Sequence, residues 1–264
     1  MRHRAIGIFD SGVGGLTVLK EIAHLLPGEN LIYLGDTARV PYGTKSVTTV
    51  RRYALEAAEF LVAQGVKLLV VACNTASAVA LPALRERFQL PVIGVIEPGA
   101  RRAAESLNRR IGVIGTDGTI NSDRYPEAIH TLLPDAQITS VACPLFVPLA
   151  EEGWAGHEIA RLTAVEYLRP LLSAQIDTLV LGCTHYPLLR NTLEKVLGTG
   201  VTMVDSAEET AKSVQQLFYQ QGLARPEHGG SRNFFVTDVP TRFKHVGQTF
   251  LGADLVQVEQ VQID

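Results

Sequence analysis

The sequence predicts an α/β protein of two similar domains in pseudo-twofold relation, each with a mainly parallel sheet, facing one another across a shared cleft. Three observations carry that prediction. Short apolar runs alternate with amphipathic helical patterns along the chain, the signature of parallel strand–helix units. Segments also recur in the same order at a nearly constant shift: Leu25-Leu26-Pro27 and Val40-Pro41 return 107 residues later as Leu132-Leu133-Pro134 and Val147-Pro148, and Ile6-Gly7-Ile8-Phe9 returns after 105 as Ile111-Gly112-Val113-Ile114. Two cysteines, Cys73 and Cys183, end apolar runs at an offset of 110. Each match alone arises by chance in any α/β chain, but their order and common shift point to an internal duplication.

The elements follow in order. Apolar β runs are read at 5–9, 31–34, 67–71 and 92–95 in the first half, and at 110–114, 137–141, 178–181 and 201–204 in the second. A glycine-rich turn, Asp10-Ser11-Gly12-Val13-Gly14-Gly15, leads from the first run into a helix, and helical patterns span 47–64, 76–88 and 206–221. A linker is read at Glu97-Pro98-Gly99, dividing residues 1–97 from 98–206; the segment 207–264, with a further strand at 233–237, is expected to return to the first domain. Polar or glycine-rich residues follow several runs: Asp10-Ser11-Gly12, Gly35-Asp36-Thr37, Cys73-Asn74-Thr75, Gly115-Thr116 and Cys183-Thr184-His185. Ligands of open parallel sheets sit at the carboxyl ends of strands, so these tips are expected to line one site.

Composition narrows the function. A chain of 264 residues can build two cores of ordinary size. A net charge of -3 with mixed signs offers no basic surface for nucleic acid. No apolar run is long enough to span a bilayer, and Met1-Arg2-His3-Arg4 leads directly into a strand, so a soluble cytoplasmic protein is expected. Three cysteines would stay reduced there, and their odd number without Cys-x-x-Cys argues against a disulfide framework or a zinc ribbon.

Most of the polar tips have simple readings when taken singly. The glycine-rich turn can hold an anion on its free N–H groups. Yet Thr17 occupies the third glycine position of a dinucleotide fingerprint, and no Gly-Lys-Ser/Thr follows, so a tight strand-to-helix connection suffices. Asn74-Thr75, Thr116 and Thr184 read as helix caps, Asp10 as another cap, His185 as a structural histidine, Glu151-Glu152 as a solvated pair and Cys143 as a small buried residue. Pro41-Tyr42-Gly43 is a natural turn beside a strand tip. Cys183 and His185 lack the further Cys/His cluster that a metal centre requires. Cys73 and Cys183 stand apart: each has polar neighbours, and a strand tip opening into a helix N-terminus is expected to lower a thiol pKa. Two thiols facing one cleft are what inversion at a carbon acid needs, one removing a proton from one face and the other returning a proton to the opposite face.

Five segments then carry a family resemblance: Phe9-Asp10-Ser11-Gly12-Val13-Gly14-Gly15; Gly35-Asp36-Thr37-Ala38-Arg39 with Pro41-Tyr42-Gly43; Ala72-Cys73-Asn74-Thr75-Ala76; Pro144-Leu145-Phe146-Val147-Pro148; and Gly182-Cys183-Thr184-His185-Tyr186-Pro187. In combination they resemble the glutamate racemases, from about residue 5 to the carboxyl end, through Phe234-Phe235 and Arg242-Phe243. The resemblance implies a cofactor-independent enzyme that interconverts L- and D-glutamate and supplies D-glutamate for bacterial peptidoglycan. It also implies an active site between the two α/β domains and a homodimer. Carried over residue by residue, it makes Cys73 the base toward D-glutamate and Cys183 the base toward L-glutamate, Asp10 the support of Cys73, and His185 with a glutamate after Val147-Pro148 the support of Cys183. Glu151 and Glu152 both follow that motif, and its spacing favours Glu151. Asp10-Ser11, Tyr42-Gly43, Asn74-Thr75 and Thr184-His185 match the family's substrate-binding positions, with Thr116 a further candidate. Fewer than ten residues precede Asp10, leaving little room for an amino-terminal regulatory extension. A two-cysteine racemase for aspartate or another small carbon acid is the second reading, and a small-anion binder or dithiol redox protein the third.

Overall fold

The first half of the chain runs β1 (Ile6–Asp10), α1 (Leu16–Leu25), β2 (Leu31–Gly35), α2 (Val47–Ala63), β3 (Leu68–Val71), α3 (Asn74–Arg87), β4 (Val92–Gly94) and α4 (Ile96–Ala103). The second runs β5 (Arg110–Gly115), α5 (Asp117–Asn121), α6 (Arg124–Leu132), β6 (Gln137–Ala142), α7 (Phe146–Glu151), α8 (Glu158–Ser173), β7 (Thr178–Gly182), α9 (Arg190–Leu197), β8 (Thr202–Asp205) and α10 (Ser206–Gln221). The chain returns through β9 (Arg232–Val236), α11 (Pro240–Leu251) and β10 (Glu259–Gln260). This is a computed structural model, and it describes residues 2–226, 229–253, 255 and 257–263.

The repeat seen in the sequence is the symmetry of two parallel sheets. The second sheet has the order β6-β5-β7-β8, and the first contains the equivalent order β2-β1-β3-β4. β1 thus corresponds to β5, and β3, which leads to Cys73, corresponds to β7, which leads to Cys183. In the first sheet β9 adds beside β2, and β10 beside β9, making six strands. Strand interiors are covered on both faces: Ile6, Ile8 and Val70 belong to one core, and Phe9, Leu69 and Val71 to another. Burial on both sides is why these strands read as continuous apolar runs rather than alternating ones.

Several boundaries differ from the sequence reading, each for a local reason. Glu97-Pro98-Gly99, read as a linker, is helical: it lies inside α4, which runs between β4 of the first sheet and β5 of the second. Pro98 falls in the first helical turn, where a backbone N–H has no intrahelical acceptor anyway. Gly99 gives room to an aromatic ring, since a Cβ there would stand 3.2 Å from Tyr125 Cε1. Helix α3 begins two residues before the predicted pattern because Cys73 caps it, its sulfur accepting the Ala76 N–H at 3.5 Å. Asn74 and Thr75 therefore belong to the first turn and do not cap. Thr116 does cap α5, accepting from Thr119 N–H at 3.4 Å, whereas Thr184 precedes a 3₁₀ turn at Tyr186–Leu189 without capping it. Cys143 is buried, its thiol donating to the Val141 carbonyl at 3.6 Å.

A buried ion pair closes the amino-terminal end of the first sheet. Lys67 Nζ lies 2.6 Å from Glu29 Oε2, with side-chain exposures of 0% and 2%. The ammonium also donates to the carbonyls of Arg2 (2.6 Å) and Leu223 (3.0 Å), while Arg225 N–H donates to Glu29 Oε1 at 2.6 Å. One amine thus joins the start of the chain, the segment before β3 and the residues after α10. Lys67→Ala would leave a buried carboxylate and two carbonyls without this donor. The expected loss, measured by urea unfolding, is about 3–5 kcal/mol, with part restored by adding Glu29→Gln; a loss under about 1 kcal/mol, the range of an exposed pair, would show that water replaces the amine.

Candidate active site

The carboxyl ends of strands from both sheets open onto one narrow cavity, with about 390 Å³ of empty space counting its mouth. From the first half come Asp10 at the end of β1 and Ser11 after it, Tyr42 and Gly43 after β2, and Cys73, Asn74 and Thr75 after β3. From the second come Thr116 after β5 and Cys183, Thr184 and His185 after β7. Glu151 is not in the lining but stands behind His185, its Oε1 3.1 Å from the ring Nε2. Its neighbour Glu152 is exposed and reaches toward Arg242, at 3.8 Å. The lining also includes Val147 and Thr119, which the sequence reading did not single out as site residues.

Each polar tip is held by a local network. Asp10 is buried, and its Oδ2 accepts the Gly12 N–H at 3.1 Å. Burial raises its pKa, against the charge of His185 and the N–H groups of Gly15, Gly12 and Ser11. Tyr33 holds the same turn by donating to the Gly12 carbonyl at 2.8 Å. At the next tip, the carboxylate of buried Asp36 accepts from Arg39 Nε at 2.7 Å, Thr237 Oγ1 at 2.9 Å and the Tyr42 hydroxyl. Arg39 also pairs with Glu56 and lies over the Tyr53 ring, 4.1 Å from its centroid. This network, which the sequence reading missed, seats Tyr42 and Gly43 at the cavity after the cis Val40–Pro41 bond.

The two thiols sit in opposite electrostatic settings. Burial pushes the Cys73 pKa up to about 12, reinforced by the carboxylate of Asp10 and, more weakly, by Cys183 across the cavity. The Ala76 N–H and the Ser11 hydroxyl act the other way, so the helix terminus that was expected to lower this pKa is overruled. Cys183 Sγ lies 3.8 Å from His185 Nδ1. Burial acts to lower the His185 pKa, but hydrogen bonds with Cys183 and Glu151 outweigh it and push it up to about 10. The same His185 contact holds the Glu151 carboxyl below its usual range, helped by Arg242 at 3.6 Å. The imidazole also packs nearly perpendicular to the Phe250 ring, ring centroids 5.1 Å apart.

Small groups let the halves meet here. A Cβ on Gly14 would stand 2.5 Å from the His185 ring and would collide with the Thr184 hydroxyl. Thr75 Oγ1 lies 2.9 Å from Thr116 Oγ1 and 3.2 Å from Thr119 Oγ1, joining helix N-termini of the two halves. Among the described residues, no group of three or more His, Cys, Asp or Glu is placed to hold a metal ion, and no helix is long and apolar enough to cross a membrane.

Comparison with known proteins agrees with this geometry. A family profile described as Asp/Glu/Hydantoin racemase matches residues 6–214. The glutamate racemase of Geobacter metallireducens is 58% identical over 266 residues, covering 100% of this chain and 98% of the relative. A crystal structure of a glutamate racemase isoform from Bacillus anthracis superposes with a TM-score of 0.96 at 42% identity, covering 99% of this chain and 98% of that one. The glutamate racemase of Francisella tularensis, solved in complex with D-glutamate, gives a TM-score of 0.94 at 39% identity over 99% of this chain and 98% of that one. Two parallel sheets in equivalent order, two thiols at equivalent strand tips and near-complete coverage by such relatives together place the chain in the Asp/Glu/Hydantoin racemase family, among the glutamate racemases.

Proposed function

We propose that this protein interconverts L- and D-glutamate by proton transfer at the α-carbon between Cys183 and Cys73, without an added cofactor, and that its D-glutamate feeds peptidoglycan synthesis in the bacterial cytoplasm. The observation that carries the proposal is that thiols from equivalent strand tips of the two sheets open into the same cavity. The glutamate named for the relatives, and the D-glutamate bound in the Francisella protein, support the choice of substrate.

In the direction from L to D, Cys183 acts as thiolate beside the charged imidazole of His185. It takes the α-hydrogen as a proton, so the Cα–H bond breaks and an S–H bond forms. The electron pair left on Cα is stabilised through the adjoining carboxylate by preorganised donors. Asn74, Thr75, Thr116 and Thr184 supply amide and hydroxyl groups there, and α3 and α5 turn their N-termini toward the same space. Cys73, held protonated by burial and Asp10, gives its proton to the opposite face and is left as thiolate. Protonation of Asp10, whose own pKa is raised, removes the charge that opposes ionisation of Cys73 and readies the reverse direction. Ser11, Tyr42 and Gly43 complete the grip on the substrate.

Purified protein, dialysed against a chelator and given no pyridoxal phosphate or nicotinamide, is expected to convert L-glutamate to a racemic mixture on a chiral column. Turnover of aspartate instead, or a strict need for a cofactor, would overturn the proposal.

In deuterated water, newly formed D-glutamate is expected to carry deuterium at Cα while remaining L-glutamate stays largely unlabelled at early times. Ala or Ser at Cys73 or Cys183 should lower turnover by at least about 10²–10⁴-fold, the effect of removing a general acid or base. A folded Cys73→Ala enzyme with near-full turnover would refute the two-thiol assignment.

The raised pKa of His185 sets a stability profile as well. A group whose pKa is higher in the folded state stabilises it fully below its unfolded value, about 6.5, and that contribution fades as pH rises to about 10. His185→Asn is therefore expected to be less stable than the parent at pH 6 by chemical denaturation, with the gap closing toward pH 10. In Glu151→Gln, NMR titration of the His185 ring should show a lower pKa; an unchanged one would mean that Glu151 does not hold the charge.

A further inference from the structure

Tyr125 reaches both thiol-bearing turns. It stands on α6 in the second half and is 1% exposed. Its hydroxyl donates to Asn74 Oδ1 at 2.8 Å, crossing to the residue that follows Cys73. Its ring lies against Gly182, the residue before Cys183: a Cβ there would stand 3.1 Å from Tyr125 Cε2. The other edge of the ring faces Gly99 of α4 in the same close manner. Two residues without side chains therefore form the slot in which the ring sits.

The amide of Asn74 explains what this contact is for. Asn74 lines the cavity, yet its Nδ2 is buried without a hydrogen-bond partner. A buried donor left unpaired costs free energy unless a ligand completes it. An asparagine amide has an accepting and a donating end, and which way it points is decided by its partners. Burial raises the Tyr125 pKa, so the phenol remains an O–H donor at working pH. A donor fixed on Oδ1 leaves N–H groups, rather than a carbonyl oxygen, for whatever the cavity holds.

We propose that Tyr125 is a positioning residue for the racemisation: it locks the Asn74 amide so that its N–H groups meet a substrate carboxylate, and it braces the Cys73 turn against the Gly182–Cys183 turn. This inference rests on the racemase reading above. The phenol acts through Asn74 and does not itself take part in proton transfer.

The test is Tyr125→Phe, which keeps the ring in its slot and removes the hydroxyl. Glutamate turnover in both directions would be followed by circular dichroism, and glutamate binding by calorimetry. KM for both enantiomers and the calorimetric Kd are expected to rise about 3- to 10-fold, the span of one neutral hydrogen bond, with kcat changing less. In an Asn74→Ala background the same substitution should add nothing to KM, because its route of action is gone. A purely structural role would lower the melting temperature and the active fraction while leaving KM in place. Unchanged KM and Kd in Tyr125→Phe, or an effect that multiplies with Asn74→Ala, would overturn the inference. Absence of glutamate turnover in the parent protein would instead overturn the racemase reading, and the calorimetric comparison would still decide the role of Tyr125.

Discussion

The site depends on the flat approach of the turn after β1 to the turn after β7. Gly14 presents bare backbone to Thr184 and His185, and the Thr17 hydroxyl is shared between the carbonyls of Gly14 (2.9 Å) and Thr184 (3.2 Å). Any side chain at Gly14 would wedge these turns apart. Asp10 would then lose its place near His185, whose charge it feels, and near Cys73, which feels the charge of Asp10. Gly43 repeats the device on the other side of the cavity, where a Cβ would stand 2.8 Å from Thr116 Cβ. Substitution of either glycine acts through the distance between halves rather than through backbone conformation, because neither has a positive φ.

On this nearly symmetric frame the charges are not symmetric. Equivalent strands deliver the thiols, but a carboxylate adjoins one and an imidazole the other. Among buried groups such charges act strongly, and the Asp10 carboxylate adds to the upward shift that burial gives Cys73. The two sheets thus provide matched placement of the thiols, while Asp10 stands beside Cys73 and His185, backed by Glu151, beside Cys183. For the proposed two-thiol transfer neither suffices alone: two thiols with identical surroundings would tend toward the same state, and one thiol serves only one face.

β1, β2, β3 and β7 were legible in the sequence because burial on both faces turns each into a short apolar run, and the equivalent order of the sheets was legible as the shift between Ile6–Phe9 and Ile111–Ile114. Helix α4 was hidden by Pro98 and Gly99, residues that usually punctuate but that here occupy a first turn and a packing slot. β10, two exposed residues long, has no apolar signal at all. The tips of the strands could be read as a site from the rule that ligands gather there. What linear spacing did not contain was contact between distant residues. The Asp36–Arg39–Glu56 network and the reach of Tyr125 to Asn74 join segments 17 to 51 residues apart. The direction of the Cys73 shift was misread for the same reason, since a helix terminus is local information and burial beside Asp10 is not.

The equivalence of the two sheets is a rotation, and a rotation does not turn a molecule into its mirror image. In the mechanism proposed above it exchanges the places of the sulfurs while the grip on the substrate's carboxylates stays where it is, so inversion is confined to the one carbon between the thiols. Enantiomers have equal free energies in water, which fixes their equilibrium ratio at unity and obliges kcat/KM to be the same in both directions for any catalyst. The unequal surroundings of Cys73 and Cys183 can therefore appear in kinetics only as a trade within that ratio. Whichever enantiomer is turned over more slowly must, in the same proportion, show the lower KM.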